Sequence, residues 1–152
     1  MTDMVGSRTL RSQWDETVRC YGRDTFLEYV SVDETVSAWT YGEMDLQVKR
    51  AANFFLELGI EKQELVALQL HNRPEYLVCW LALAQIGAVS VPLNEHYQQP
   101  EIHYVLEKCG VRRVITESRA LPLYLEPPLR PMLDQIITVD GEVPEGVMSL
   151  AE

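Results

Sequence analysis

Two basic side chains, His96 and Arg119, lie in polar stretches that each follow a short β-branched run of sequence. The stretches are Asn94-Glu95-His96-Tyr97 after AVSVPL, and Thr116-Glu117-Ser118-Arg119 after RRVIT. Ligands collect outside the carboxyl ends of the strands in an open parallel sheet, so these basic side chains are placed where an anion would be met. The predicted chemistry is contact with a small anion, and the alternative is that both are solvated loop residues.

Other residue types that perform chemistry lack the neighbours that the chemistry requires. The sequence contains no G-x-S-x-G nucleophile elbow, no G-x-x-x-x-G-K-[ST] phosphate loop and no G-x-G-x-x-G fingerprint. His96 and His103 are too far apart to bind a metal from one helical face, and Cys109 has no ligating neighbour. Cys79 is interpreted as a small core side chain. We therefore predict no catalytic residue and no metal site.

The composition excludes several classes of partner. The chain of 152 residues fits one domain, and its net charge of -10 repels nucleic acid and anionic lipid. Three scattered cysteines favour a reducing compartment. No apolar run follows a basic start at the N-terminus, so the predicted location is the cytoplasm.

A repeated alternation of strand and helix patterns predicts the scaffold of these residues. Strand candidates begin near residues 65, 88, 112 and 135, with helices predicted over about 73–86 and 100–108. This rhythm is typical of parallel strands joined by crossovers. Four prolines in the last crossover, between residues 120 and 131, predict a short or kinked helix there. The predicted fold class is α/β: a partial doubly wound, mostly parallel sheet with helices on both faces.

The first part of the chain predicts a different unit, a helix followed by a β-hairpin. Apolar residues recur at helical spacing over 10–21, and Gly22 is placed for a left-handed cap. Residues 25–40 resemble a hairpin, and Thr40 with Glu43 forms a capping box that starts the next helix. Gly59 is expected to end that helix. Residues 1–40 thus form the helix and hairpin, and residues 41–152 form the α/β repeats.

The uncharged stretch YLVCWLALAQIGAVSVPL, residues 76–93, raises the question of a membrane span. Asn72 with Glu75 resembles a helix N-terminus, and Gly87 would end the helix before the roughly 20 residues that a span needs. We interpret the stretch as a buried helix followed by a buried strand, without a membrane span. His71 and Asn72 are interpreted as a strand exit and a helix cap.

Four segments resemble the N-terminal region of AMP-forming acyl-CoA synthetases, and the resemblance as a whole extends over nearly the whole chain. They are T-Y-G-E-M from Thr40, R-A-A-N-F-F-L-E-L-G-I from Arg50, V-A-L-Q-L-H-N-R-P-E-Y from Val66, and L-A-L-A-Q-I-G-A-V-S-V-P-L-N from Leu81. Three further matches are especially similar to the crotonobetaine/carnitine-CoA ligase branch: Leu10-Arg11 with Trp14-Asp15, Tyr21-Gly22, and Cys79-Trp80.

The resemblance implies a reaction and a place in a larger enzyme. The family uses ATP, Mg²⁺ and CoA to convert a carboxylate to an acyl-adenylate and then to a thioester. Its phosphate loop ending in P-K-G, its Y-G-x-T-E segment and its C-terminal domain with the catalytic lysine are absent from this sequence. Residues 1–152 therefore resemble the N-terminal part of the large domain. This part is expected to be inactive and to bind no cofactor tightly by itself, with the remainder of the ligase as its partner.

The resemblance also assigns possible ligands to the polar stretches. By position, Asn94, His96 and Arg119 correspond to residues that approach CoA and its phosphates. Several relatives carry arginine where His96 stands, so a contact made by His96 is expected to be weaker and pH-dependent. The branch implies a small quaternary-ammonium acid as substrate: carnitine, crotonobetaine or γ-butyrobetaine.

A second class of function stays open at this point. The alternative is a stand-alone, non-catalytic binding or interaction module derived from the same family. In either case four strands without further layers are expected to leave an apolar face or an open edge, which predicts self-association.

Overall fold

Helices and strands alternate along most of residues 8–150, which a computed structural model describes. The helices are α1 Leu10–Tyr21, α2 Tyr41–Glu57, α3 Pro74–Ile86, α4 Gln99–Cys109 and α5 Leu121–Leu125, with a 3₁₀ turn at Arg130–Met132. The strands are β1 Thr25–Val30, β2 Val36–Thr40, β3 Leu65–Gln69, β4 Val89–Pro92, β5 Arg113–Thr116, β6 Gln135–Thr138 and β7 Met148–Ser149. The predicted α/β class is confirmed.

The opening helix and hairpin pack onto α2. Strands β1 and β2 pair antiparallel, as predicted. The buried Trp14 ring lies 5.1 Å from that of Phe26 and donates from Nε1 to Asp45 of α2 at 2.9 Å. The capping box of Thr40 and Glu43 is present at the start of α2.

The prediction of a left-handed cap at Gly22 is wrong. Gly22 has φ -53°, an ordinary right-handed helical value. A Cβ atom there would lie 2.8 Å from the carbonyl oxygen of Val18, and the Gly22 carbonyl accepts from Gly42 N at 2.9 Å. Crowding by the Val18 carbonyl oxygen at the end of α1, and not a positive φ, therefore favours glycine at this position.

The five strands β3 to β7 form one parallel sheet in the order β4-β3-β5-β6-β7. The chain places β4 on one side of β3 and every later strand on the other side. The strand order therefore reverses between β3 and β5, the position at which doubly wound sheets bind ligands. The four predicted strands are confirmed. The fifth strand, β7, was not predicted because two residues are too short to show a period.

Each face of the sheet is covered by its own core. Val66, Leu68 and Ile115 belong to a cluster with buried residues of α2 and α3. Ala67 and Val114 alternate with them and belong to a second cluster with α4 and α5. This burial on both faces explains the nearly continuous apolar runs of the strands.

The uncharged stretch forms helix α3 and strand β4, as predicted. Gly87 separates them with φ 80°, and Cys79 is fully buried in the core. The prediction that the strand is buried is wrong: β4 lies at the edge of the sheet, and Val89 is 47% exposed. Asn72 is not the helix cap: the N-cap is Arg73, whose side chain makes no capping bond, and Pro74 opens the helix. Within residues 8–150, no helix combines the length and apolar character that crossing a membrane requires.

The proline-rich crossover is short and irregular, as predicted. Helix α5 has five residues and is followed by the 3₁₀ turn. Tyr124 of α5 and Leu129 after the helix are nevertheless completely buried against the second core. The segment therefore serves as a structural cover of the sheet.

Candidate functional site

The carboxyl ends of strands β3 to β6 lie side by side at one edge of the sheet, and we call this the carboxyl edge. The two predicted basic side chains, His96 and Arg119, both contact the carboxylate of Glu95 there. Glu95 lies 3.3 Å from Arg119 Nη2 and 3.7 Å from His96 Nε2. The side chains of Arg119 and His96 are 67% and 83% exposed, so both are able to turn toward a dissolved anion.

Asn94 shapes the loop that carries His96. Its side-chain oxygen accepts from the backbone N–H of His96 at 2.9 Å, and its carbonyl oxygen accepts from the N–H of Tyr97 at 3.0 Å. This arrangement is an Asx turn closed over residues 94–97. The side chain of Asn94 therefore supports the loop in addition to being exposed at the edge.

A buried carboxylate lies behind the exposed basic side chains. The side chain of Glu117, only 4% exposed, contacts His71 Nδ1 and lies 3.5 Å from Arg73 Nη1 and 3.2 Å from Arg119 Nη2. These contacts join the ends of β3 and β5, on the two sides of the reversal of strand order. We call Glu117 with His71, Arg73 and Arg119 the Glu117 cluster.

Asp140 extends the Glu117 cluster to the end of β6. Its carboxylate contacts Arg73 and accepts from the Ser118 N–H at 2.7 Å. Partial burial opposes ionisation of Asp140, but the Ser118 and Arg73 contacts outweigh it and lower the pKa of the carboxyl. Burial likewise opposes the charge of Arg73, yet Glu75 and Asp140 raise the pKa of its guanidinium. Arg73 therefore stays positively charged and is already paired with the carboxylates of Glu75 and Asp140.

The sequence interpretation missed the Glu117 cluster. It treated His71 only as a strand exit, and it selected Arg119 without its buried partner Glu117. The missing information was the strand order, since residues 71 and 117 come together only because β3 and β5 are neighbours. The one signal available in the sequence was an acidic residue, Glu117, directly after a predicted strand.

A groove of about 550 Å³ lies against α2 and α3, and Glu75 in its lining pairs with Arg73 of the Glu117 cluster. Its lining combines the apolar side chains of Phe54 and Val78 with one base, Arg50, and the acids Glu57 and Glu75. The excess of acid does not favour an anion, and none of the predicted site residues lines it. Among residues 8–150, no three histidine, cysteine, aspartate or glutamate side chains are grouped to hold a metal ion.

Comparison with known proteins gives a consistent result. A family described as AMP-binding enzyme matches residues 14–149. A crotonobetaine/carnitine–CoA ligase from Citrobacter koseri is 36% identical over 122 residues, and one from Salmonella paratyphi B is 37% identical over 124 residues. These matches cover 80% and 82% of the chain but only 24% of each relative, so the chain spans about a quarter of their length.

A solved structure shares the fold. An anthranilate CoA ligase in complex with anthranoyl-AMP superimposes with a TM-score of 0.81 at 23% identity, over 94% of this chain and 27% of that one. The similarity concerns the arrangement of helices and strands.

Proposed function

Since the chain belongs to the AMP-binding enzyme family, we propose that it is the N-terminal part of the large domain of an AMP-forming acid–CoA ligase. The observation that carries this proposal is the family match over residues 14–149. The parent enzyme would use ATP, with Mg²⁺, to form an acyl-adenylate from a carboxylate with release of pyrophosphate, and the thiol of CoA would then displace AMP to form the thioester. The remainder of the ligase supplies the phosphate loop and the catalytic lysine.

The role of this chain in that reaction is support and recognition. The fold supplies one layered sheet, and its carboxyl edge presents His96 and Arg119 to solvent. A guanidinium and an imidazole are suitable donors for a phosphate group. Both now face Glu95, so an incoming CoA phosphate would compete with that carboxylate. Asn94 would hold the loop in the shape that places His96 at the edge.

The acyl substrate is proposed to be a small quaternary-ammonium acid such as carnitine, crotonobetaine or γ-butyrobetaine. The support is the identity of 36–37% to crotonobetaine/carnitine–CoA ligases. Acid-dependent exchange of pyrophosphate into ATP by the full-length ligase would test it. Preference for an aromatic acid such as anthranilate over all three betaine acids would contradict the proposal.

The CoA contact is tested with alanine variants in the full-length ligase. His96→Ala and Arg119→Ala are each expected to raise KM for CoA by about tenfold or more, because a hydrogen bond to a charged group contributes about 1.5–3 kcal/mol. His103→Ala and Arg112→Ala are the matched controls. His103 lies within α4, and Arg112 pairs with Asp134 at 2.7 Å at the opposite edge of the sheet. If KM for CoA is unchanged in both site variants, the assignment is wrong.

The isolated chain is proposed to be inactive and cytoplasmic. All three of its cysteines, Cys20, Cys79 and Cys109, are free thiols, which is consistent with a reducing compartment. Incubation of the isolated chain with ATP, Mg²⁺ and a carboxylate should yield no acyl-adenylate. Formation of the adenylate by the pure chain would refute this part of the proposal.

A further inference from the structure

A buried glutamine connects the loop of residues 94–97 to the sheet. Gln69, the last residue of β3, is 1% exposed. Its Nε2 donates to the carbonyl oxygen of Asn94 at 3.0 Å and lies 3.4 Å from the carbonyl oxygen of Tyr97. The two carbonyl groups belong to the first and last residues of the loop. One side chain therefore holds both ends of the segment that carries His96.

The other end of the Gln69 amide is held by the proline-rich crossover. Tyr124 of α5 donates its hydroxyl proton to Gln69 Oε1 at 2.6 Å. Tyr124 is fully buried, and burial raises the pKa of its hydroxyl, so the phenol stays protonated and able to donate. A backbone carbonyl oxygen only accepts, so the NH₂ group of Gln69 must face the loop and its oxygen must face Tyr124. The orientation of the amide is thereby fixed by chemistry.

We propose that Gln69 and Tyr124 are positioning residues for the CoA-contacting loop, an inference that rests on the proposed function. They touch no substrate. Tyr124 fixes the Gln69 amide, the amide fixes the carbonyl groups of Asn94 and Tyr97, and the loop then presents His96 beside Glu95 and Arg119. A further contact, from Gln99 Nε2 to the Leu123 carbonyl oxygen at 3.0 Å, ties α4 to α5 at the same place.

We call the contacts from Tyr124 through Gln69 to the loop of residues 94–97 the relay. The relay gives the proline-rich crossover a specific structural role. Helix α5 follows β5 and the residue Arg119, whereas the loop of residues 94–97 follows β4. The buried Tyr124–Gln69 contact joins these two parts of the chain beneath the exposed ion pairs of Glu95. Loss of the Tyr124 hydroxyl should therefore loosen the His96 loop without removing any group that faces CoA.

The relay is tested first in the 152-residue chain by residue-resolved amide hydrogen exchange. The reporters are the N–H groups of His96 and Tyr97, which both donate within the loop. Tyr124→Phe should speed their exchange about fivefold, the effect of one hydrogen bond. The matched control is Tyr104→Phe, because Tyr104 is 60% exposed on α4 and loses the same hydroxyl group. It should leave the reporters unchanged.

A second variant shows whether the two side chains act in one relay. Gln69→Met should speed exchange of the reporters at least as much as Tyr124→Phe does. Adding Tyr124→Phe to Gln69→Met should then change nothing further, since non-additivity marks residues that act through the same contact. Additive effects would overturn the relay, and so would faster exchange spread evenly over the chain in Tyr124→Phe.

The consequence for CoA is measured in the full-length ligase. Tyr124→Phe should raise KM for CoA about fivefold, while kcat changes by less than about twofold. A loss of kcat with KM unchanged would overturn the positioning role. If the amides of His96 and Tyr97 respond as expected but neither His96→Ala nor Tyr124→Phe alters KM for CoA, then the relay stands and the proposed CoA contact fails.

Discussion

Glu117 determines how the charged groups of the carboxyl edge are arranged. Its buried carboxylate is shared by His71, Arg73 and Arg119, which come from two neighbouring strand ends. A buried charge of this kind is tolerated only because its partners compensate for the lost hydration. The exposed cation Arg119 is therefore held in part by a buried acid.

Glu117→Gln is expected to destabilise the chain by about 2 kcal/mol, because the buried carboxylate makes charged contacts with Arg73 and Arg119 that the neutral amide would weaken. Urea denaturation followed by circular dichroism measures the difference in free energy of unfolding. The control is Glu95→Gln, whose carboxylate is 34% exposed and also contacts Arg119. It should cost less than about 1 kcal/mol, as exposed ion pairs do. Equal losses in the two variants would contradict a special role for Glu117.

Asp140 is expected to make stability depend on pH in the acid range. Its folded-state pKa lies below the ordinary value near 4, so its contribution is present above that pH and is lost as pH falls through the folded value. Asp140→Asn should therefore be less stable than the parent chain at pH 7, and the difference should shrink below about pH 4. Urea midpoints across this range measure it, and a difference that is the same at all pH values would contradict the prediction.

The amino-acid sequence was sufficient to select His96 and Arg119 but not to explain them. Residues that follow strands of a parallel sheet must lie at one edge, so their general position followed from the strand pattern alone. Their partners depend on which strands are neighbours. Gln69 illustrates the limit most clearly, since a glutamine at the end of an apolar strand gives no indication that Tyr124 lies beside it.

At the scale of elements, the junction of α3 and β4 decides how the uncharged stretch folds. Gly87 has φ 80°, and an added Cβ atom would lie 3.1 Å from Lys62 Cγ. A left-handed residue ends the helix and lets the chain return beside β3. Periodicity and glycine positions predicted this junction because both are local properties of the sequence.

Gly87→Ala is expected to destabilise the chain by about 1–2 kcal/mol, the cost of a left-handed conformation for a residue with a side chain. Gly87→Asn should lose less, because asparagine tolerates this conformation. Gly110→Ala is the matched control: Gly110 has φ 65° with no atom within 4 Å of an added Cβ, so it isolates the backbone strain. Urea unfolding measures all three. No loss in Gly87→Ala would contradict a helix end at this residue.

Tertiary contacts, in contrast, decided the elements that were predicted wrongly or missed. The Gly22 carbonyl oxygen accepts from the Gly42 N–H, a contact between distant parts of the chain, and a Cβ atom added at Gly42 would lie 2.9 Å from that oxygen. Asn72 resembled a cap by residue type, but the chain places Arg73 at that position, directly before the helix-opening Pro74. Strand β7 exists only because β6 offers it a free edge.

At the scale of the whole molecule, strand β4 is an edge strand of the sheet: among the described residues it pairs only with β3. The N–H groups of Val89 and Leu93 point inward to β3, so by alternation Ser90 and position 92 face outward. Residue 92 is proline and has no N–H group. The edge therefore offers a poor template for pairing with a second sheet, in the way that natural proteins protect exposed strands.

Self-association, which stays a prediction, is therefore expected to use apolar helix surface and not the edge of the sheet. Leu46 and Leu56 on α2 are 53% and 54% exposed, and such exposed apolar side chains favour association. Light scattering of the chain at increasing concentration should show species larger than a monomer. Replacing both leucines by lysine should shift the distribution to monomer.

Val32→Lys is the control, because Val32 in the hairpin turn is fully exposed and gains one of the two positive charges that the α2 variant gains. It should leave the size distribution unchanged. If Val32→Lys disperses the larger species as well as the α2 variant does, then added charge alone explains the effect and the α2 surface is not the interface. A parent chain that stays monomeric at every concentration would contradict self-association itself, whichever surface was considered.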